Sequence, residues 1–163
     1  MDIFSHIVAV ILILFAAGYP AFIPFGVLGA VILDLDMVFT YFSDSHPSLY
    51  IFTHGGFTHS MFGAAIMSVI GFFVVVLLSV FGYIQGNMPT EVPLFVFFFI
   101  LAGAFLHLFL DYLASPGVPL LYPFTEKKYG LGLFPIPVFL FLTLLSFTIL
   151  VLYLLHRVTV TMT

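Results

Sequence analysis

His107 and Asp111, two ionisable residues four positions apart, interrupt a long apolar run between residues 92 and 114. Residues with this spacing project from the same face of a helix. The pair therefore has the geometry of two metal ligands, or of one ligand and the carboxylate that orients it. A His–Asp hydrogen bond that locks helix packing explains the pair equally well. The choice depends on which other ionisable residues reach the same place.

Two carboxylates, Asp34 and Asp36, stand near the end of an earlier apolar run. Side chains two apart point to nearly opposite sides of a helix, so both reach one centre only if the helix unwinds or ends there. Taken alone, this pair is more simply explained as a solvated helix terminus.

The segment HGGFTHS, which begins at His54, adds two imidazoles. Its glycines permit a tight backbone path, and Thr58 is predicted to be the N-cap of the following helix. His54 and His59 are therefore expected to converge although they are five positions apart. Imidazoles combined with carboxylates favour Zn, Mn, Fe or Ni, whereas carboxylates alone favour Mg or Ca.

The composition places these residues in a membrane protein. Of the 163 residues, 63% are hydrophobic and only 6% are charged, the net charge is -4 and the mean hydropathy is +1.31. Soluble domains carry about a quarter charged residues. The composition excludes a soluble globular domain, a disordered chain and a nucleic-acid-binding protein, which needs a basic surface. The absence of cysteine excludes disulfides and thiolate metal sites.

Five apolar runs are predicted to cross the bilayer, which needs about 20 apolar residues per helix. The second run, which carries both aspartates, is also compatible with a half-crossing or re-entrant helix. We therefore predict an all-α helical bundle, a single membrane domain over residues 1–163, in a prokaryotic cytoplasmic membrane. The five runs are residues 3–19, 24–42, 60–83, 92–114 and 137–156.

The order of these crossings brings the ionisable residues to one side of the membrane. Successive runs cross the membrane in opposite directions. The ends that carry His or Asp therefore lie on one side of the membrane, and the apolar ends lie on the other. Buried polar groups at one depth need mutual pairing or a cation to offset their desolvation. A centre with one or two divalent transition metal ions is predicted, and its expected ligands are His6, Asp34, Asp36, His54, His59, His107 and Asp111.

The ordered set of motifs resembles the YdjM-like family of membrane-bound, metal-dependent hydrolases. The resemblance covers roughly residues 1–135 and is far more specific than any single motif. It implies a metal-dependent hydrolase. The family commonly has Arg where this chain has Gly55, so either Lys127 or Lys128 takes over anion binding or the substrate preference differs. The matching pieces are His6, the DLD at Asp34, the HGGFTHS segment, His107 with Asp111, and the GVPLLYPF loop from Gly117.

The leading functional hypothesis is hydrolysis of a phospholipid or another lipid phosphoester at the membrane surface, with Zn as the expected ion. Asp34 and Asp36 are expected to act as further ligands or as the base, and Lys127 to hold a phosphate. Anchoring to anionic head groups is the more ordinary role of exposed lysines.

Two alternatives remain open from the sequence. One is a cation or proton transporter, although a conducting path needs polar residues along its length and the far halves of the runs are apolar. The other is a metal-binding membrane protein without catalytic activity. Membrane lipids are the expected partners in each case.

Overall fold

The computed structural model describes residues 3–37, 56–83, 93–114 and 117–133, with a few isolated positions between residues 141 and 151. Those four ranges contain four α-helices and two short 3-10 turns, and their only β-pairing is an isolated bridge. The predicted all-α class is therefore confirmed. His54, the end of the second predicted run and nearly all of the fifth lie outside the described residues.

The helices fall into two length classes: α1 (Ile3–Ala16) and α2 (Ile23–Asp34) are short, whereas α3 (Met61–Val80) and α4 (Pro93–Leu113) are long. In the described ranges, α3 and α4 are the helices that are long and apolar enough to cross a membrane. With 14 and 12 residues, α1 and α2 reach only about 20 Å each at 1.5 Å per residue. Five crossings therefore remain a prediction.

The short helices form a pair joined by a tight turn. Gly18 adopts a φ of 82°, in the left-handed region that favours glycine, and the chain leaves α1 there. Pro20 then begins the 3-10 turn Pro20–Phe22, from which α2 continues directly. This turn lets α2 pack along α1 and also against α4.

Helices α2 and α4 approach so closely that their backbones touch. A Cβ atom added at Gly29 would collide with the Ile100 carbonyl group, and one added at Gly103 would collide with the carbonyl group of Gly26. Small residues are the usual means of bringing membrane helices into backbone contact. The consequence here is that the polar residues of one helix can reach the backbone of the other.

The apolar core forms two clusters. The first contains buried residues from α2, α3 and α4 and lies along the polar residues: Ile32, Leu33, Ala64, Ala104 and Leu108. The second contains Val75, Val96 and Ile100, which lie nearer the other ends of α3 and α4. Imidazoles and carboxylates are therefore confined to one end of the described bundle.

Residues 117–133 form a hairpin that closes this polar end. Val118 and Tyr129 exchange two backbone hydrogen bonds, of 2.9 and 2.8 Å. The hairpin is attached on both sides, because the Met61 amide donates to the Leu120 carbonyl at 3.0 Å and the Leu131 amide donates to the carbonyl of Tyr112 at 2.7 Å. It therefore links the start of α3 to the end of α4.

Candidate metal centre

The end of α2 brings both aspartates inward. The helix ends at Asp34, and Leu35 lies in the following turn with 47% of its surface exposed. Asp34 and Asp36 flank it and are 5% and 0% exposed. The condition set by their spacing, a helix that stops between them, is thus met.

His59 is presented by the 3-10 turn Phe57–His59, which precedes α3. The predicted Thr58 N-cap is wrong: the Ser60 side chain accepts from the Gly63 amide at 2.9 Å and caps the helix. Thr58 lies inside the 3-10 turn, so α3 begins only after it, and the turn lies so close to the helix that Gly63 has no room for a Cβ beside the Phe57 carbonyl. The Thr58 hydroxyl instead donates to Asp36 Oδ2 at 2.5 Å.

Four side-chain atoms meet at the centre of this polar end, and we call them the four-atom cluster: His59 Nε2, His107 Nε2, Asp34 Oδ1 and Asp111 Oδ2. The two imidazole nitrogens are 3.3 Å apart. Asp111 Oδ2 lies 3.2 Å from His107 Nε2 and 3.8 Å from His59 Nε2. Asp34 Oδ1 lies 3.7 and 3.6 Å from the same two nitrogens.

These separations are of the size found between donors that share one ion. Zinc binds nitrogen and carboxylate oxygen at 2.0–2.2 Å, which places neighbouring tetrahedral ligands about 3.3–3.6 Å apart. The five separations, from 3.2 to 3.8 Å, surround that range. Asp34 and Asp111 belong to two different sets of mutually close donors, Asp34 with His59 and Asp111 with His6, and both sets include His107. The donor set of imidazole and carboxylate also suits a divalent transition metal. These buried His and Asp side chains could therefore hold a metal ion.

The far side of each imidazole is fixed by an acceptor. His107 Nδ1 donates to the Ala30 carbonyl of α2 at 2.7 Å, and His59 Nδ1 donates to Asp36 Oδ2 at 2.9 Å. An imidazole that donates through Nδ1 directs Nε2 toward its ligand, as metal-binding histidines typically do. Asp36, predicted as a ligand or base, thus lies behind His59 rather than in the four-atom cluster.

The protonation of His59 reflects its carboxylate neighbours. Burial lowers the pKa of His59, but the hydrogen bonds with Asp34 and Asp36 outweigh burial and raise the pKa to about 9. The protein without metal therefore holds a proton on His59 at neutral pH, and an incoming cation must displace it.

His6 lies one layer away from the four-atom cluster. Its ring is fully buried and stacks on that of His107, with 3.6 Å between centroids and 12° between planes. His6 Nε2 is 3.3 Å from Asp111 Oδ1, the oxygen that the cluster does not use. Neither nitrogen of His6, nor Asp34 Oδ2, has a hydrogen-bond partner within the described ranges.

The structure thus brings six of the predicted ligands together: His6, Asp34, Asp36, His59, His107 and Asp111. Lys127 is not with them. It is exposed on the 117–133 hairpin, like Lys128, and its ammonium group lies 5.6 Å from the ring centroid of Tyr129.

Two groups that support the imidazoles were not predicted from the sequence: the Ala30 carbonyl and the Thr58 hydroxyl. The Ala30 carbonyl carries no sequence signal, because every residue has a carbonyl group. Thr58 did carry one: a hydroxyl directly before His59 is well placed to bind the carboxylate that orients this imidazole.

Comparisons with known proteins agree with the resemblance noted in the sequence. Neither the curated proteins nor the solved structures contain a significant match to this chain. Residues 1–162, however, match the family described as YdjM inner membrane protein. Because this match covers nearly the whole chain, the protein belongs to the YdjM inner membrane protein family.

Proposed function

We propose that this protein is an integral membrane hydrolase that uses a divalent transition metal, with zinc as the best fit, to cleave a lipid phosphoester at the membrane surface. The single observation that carries the proposal is the four-atom cluster, in which two imidazole nitrogens and two carboxylate oxygens converge from α2, α4 and the turn before α3.

The outer contacts of the cluster favour a metal site over a packing contact. A His–Asp pair with only a packing role would be satisfied by the contact between His107 and Asp111, which both lie on α4. Here a third element also turns an Nε2 toward the same point, and each imidazole has an acceptor on its opposite nitrogen. Such acceptors hold metal-binding histidines in the required tautomer.

The bound ion and the residues around it have different roles in the proposed reaction. A divalent ion held by this cluster supplies Lewis acidity toward a phosphoryl oxygen and makes water nucleophilic at neutral pH. His59 and His107 hold their Nε2 atoms in place, while Asp36 fixes the orientation of His59 and receives the hydroxyl proton of Thr58 in a hydrogen bond. Burial of the whole set excludes bulk water from these contacts.

A lipid phosphoester is favoured by the surroundings of the cluster. The site lies at one end of the bundle, beneath a hairpin that exposes Lys127 and Lys128 together with an almost fully exposed Phe124. Apolar and cationic side chains side by side are typical of segments that sit among anionic head groups. A phosphoester at that level could approach the polar end while its acyl chains stay in the bilayer.

A structural metal site is the second candidate, and the burial of the donor residues favours it, because catalytic zinc usually keeps one position open to water. A transporter is less favoured, because the second core cluster fills the interior of the described bundle beyond the polar end with apolar side chains.

The test is a hydrolysis assay on tag-free protein in lipid nanodiscs, stripped with a chelator and reloaded with Zn²⁺ or Mn²⁺. Phosphatidic acid, phosphatidylglycerol and p-nitrophenyl phosphate are suitable probes. We expect turnover that requires metal, is lost in His107→Ala and is retained in Ser68→Ala, whose buried hydroxyl bonds only the Ala64 carbonyl among the contacts described. Protein that binds metal but hydrolyses none of the probes would favour the structural site.

A further inference from the structure

The two oxygens of the Asp111 carboxylate face different imidazoles. Oδ2 belongs to the four-atom cluster and lies 3.2 Å from His107 Nε2, whereas Oδ1 lies 3.3 Å from His6 Nε2. The proposed mechanism uses only the first of these oxygens. His6, fully buried in α1, has no role in it.

The contact between His6 and Asp111 is not a well-formed hydrogen bond. Although the two atoms are 3.3 Å apart, His6 Nε2 has no hydrogen-bond partner within the described residues, and neither has His6 Nδ1. Burying an imidazole whose nitrogens make no hydrogen bond is unfavourable, because these nitrogens lose their hydrogen bonds with water. Two atoms at this distance are, however, well placed to bind one cation between them.

The stacking of the two rings sets the distance between two such positions. His6 and His107 lie almost parallel with 3.6 Å between their centroids, and each directs Nε2 toward one oxygen of the same carboxylate. Ions bound by the two imidazoles would be about as far apart as the rings. Enzymes with two metal ions bridge them at about 3.5–4 Å.

The donors around His6 form a set of their own. The potential ligand atoms of His6, His107 and Asp111 all lie within 4.8 Å of one another, as do those of Asp34, His59 and His107. The two sets share only His107. Asp34 therefore belongs to the set around His59, whereas Asp111 is the carboxylate of the set around His6.

We infer that the protein binds a second divalent ion, held by His6 Nε2 and Asp111 Oδ1 beside the ring of His107. This inference rests on the proposed function and deepens it. Two protein donors leave coordination positions open on the second ion. The second ion is thus the one that meets water and substrate, and the substrate class is a phosphoester, which two ions can clamp during in-line displacement.

The test is a metal count on tag-free, full-length protein in nanodiscs loaded with Mn²⁺ and passed through a desalting column. We expect two ions per chain in the wild type and in Ser68→Ala, and one ion in His6→Phe. The phenylalanine ring keeps the stacking against His107 but removes both nitrogens, so it separates the loss of a donor from the loss of packing. Electron paramagnetic resonance of the wild type should show a spin-coupled Mn²⁺ pair.

The outcomes separate this inference from the proposed function. One ion in both the wild type and His6→Phe, with hydrolysis retained, would overturn the second ion and leave the proposed function intact. Two ions in His6→Phe, or two uncoupled Mn²⁺ signals in the wild type, would equally overturn it. Wild-type protein that binds no metal would overturn both. If His6→Phe loses every ion, the coupled signal of the wild type alone decides.

Discussion

The two ends of the α2–α4 pair are built in opposite ways. At one end, Ala30 and Asp34 of α2 face His107 across a distance of 2.7–3.7 Å. At the other end, aromatic rings take the place of the polar groups: Phe22 stacks on Phe99 at 4.2 Å beside an apolar cavity of about 580 Å³. The polar contacts are thus concentrated at one end, and the other end is almost wholly apolar.

This contrast reflects the free-energy cost of burying polar groups. Polar groups in a membrane interior are costly unless each has a partner, and partners must be held at fixed distances. Apolar side chains at the far end need no such precision, because lipid tails solvate them equally well. The predictions below test whether metal binding depends only on the polar end.

The largest effect is expected from removing a donor of the four-atom cluster. His59→Ala and His107→Ala should each weaken metal binding by more than about 100-fold, since losing even an outer partner of a ligand costs 10–100-fold. Phe99→Ala at the far end is the control and should bind metal normally. Isothermal titration calorimetry with Zn²⁺ measures the difference. Unchanged affinity in both histidine variants would mean that the cluster is a packing contact.

A smaller loss is expected when the imidazole is left in place but its support is removed. Asp36→Asn should weaken Zn²⁺ binding by about 10–100-fold without changing the number of ions bound, because Asp36 orients His59 from behind. The same titration measures it. A change in the number of ions would instead make Asp36 a ligand, as the sequence analysis predicted.

The close approach of the two helices can be tested with a matched pair of glycines. Gly29→Ala places a methyl group against the Ile100 backbone and should destabilise the protein by about 1–3 kcal/mol, with weaker metal binding because Ala30 moves away from His107. Gly71→Ala meets only side-chain atoms, the nearest at 3.1 Å, and should be close to neutral. Thermal unfolding in detergent compares the two, and equal melting temperatures would contradict this account.

The smallest effect is a pH dependence. Because the pKa of His59 is raised to about 9, this imidazole is protonated at pH 7, and a metal ion must displace the proton. Zn²⁺ affinity should therefore rise as the pH increases from 7 toward 9, and binding should release about one proton from His59. Calorimetry in buffers of different ionisation enthalpy counts the protons released, and a count of zero would show that His59 is not a ligand.

The sequence predicted which residues lie together at the site better than it predicted which of their atoms are in contact. Which residues share a depth depends on where apolar runs begin and end, and this can be counted along the chain. That is why six His and Asp side chains from positions more than a hundred residues apart could be grouped at one end of the bundle.

The contacts between individual atoms could not be predicted in the same way. Asp36 lies behind His59 because α2 stops at Asp34 and the chain turns at Leu35, and the sequence does not fix the direction of that turn. The backbone contact at Gly29 that delivers the Ala30 carbonyl to His107 also depends on a partner helix far along the chain. Lys127 was assigned to the site only because its loop is on the same side of the membrane. That position does not distinguish an exposed side chain from a buried one.

The hydrogen bond from His107 to Ala30 also has a consequence for how the protein is made. These residues are 77 positions apart, so at about 5–20 residues per second a ribosome completes α4 several seconds after α2. During that interval Asp34 lacks its partner on α4, His107. We expect a chain truncated after α3 to integrate poorly and to be degraded rapidly, and a pulse–chase experiment with Asp34→Leu in the same truncated chain should show recovery.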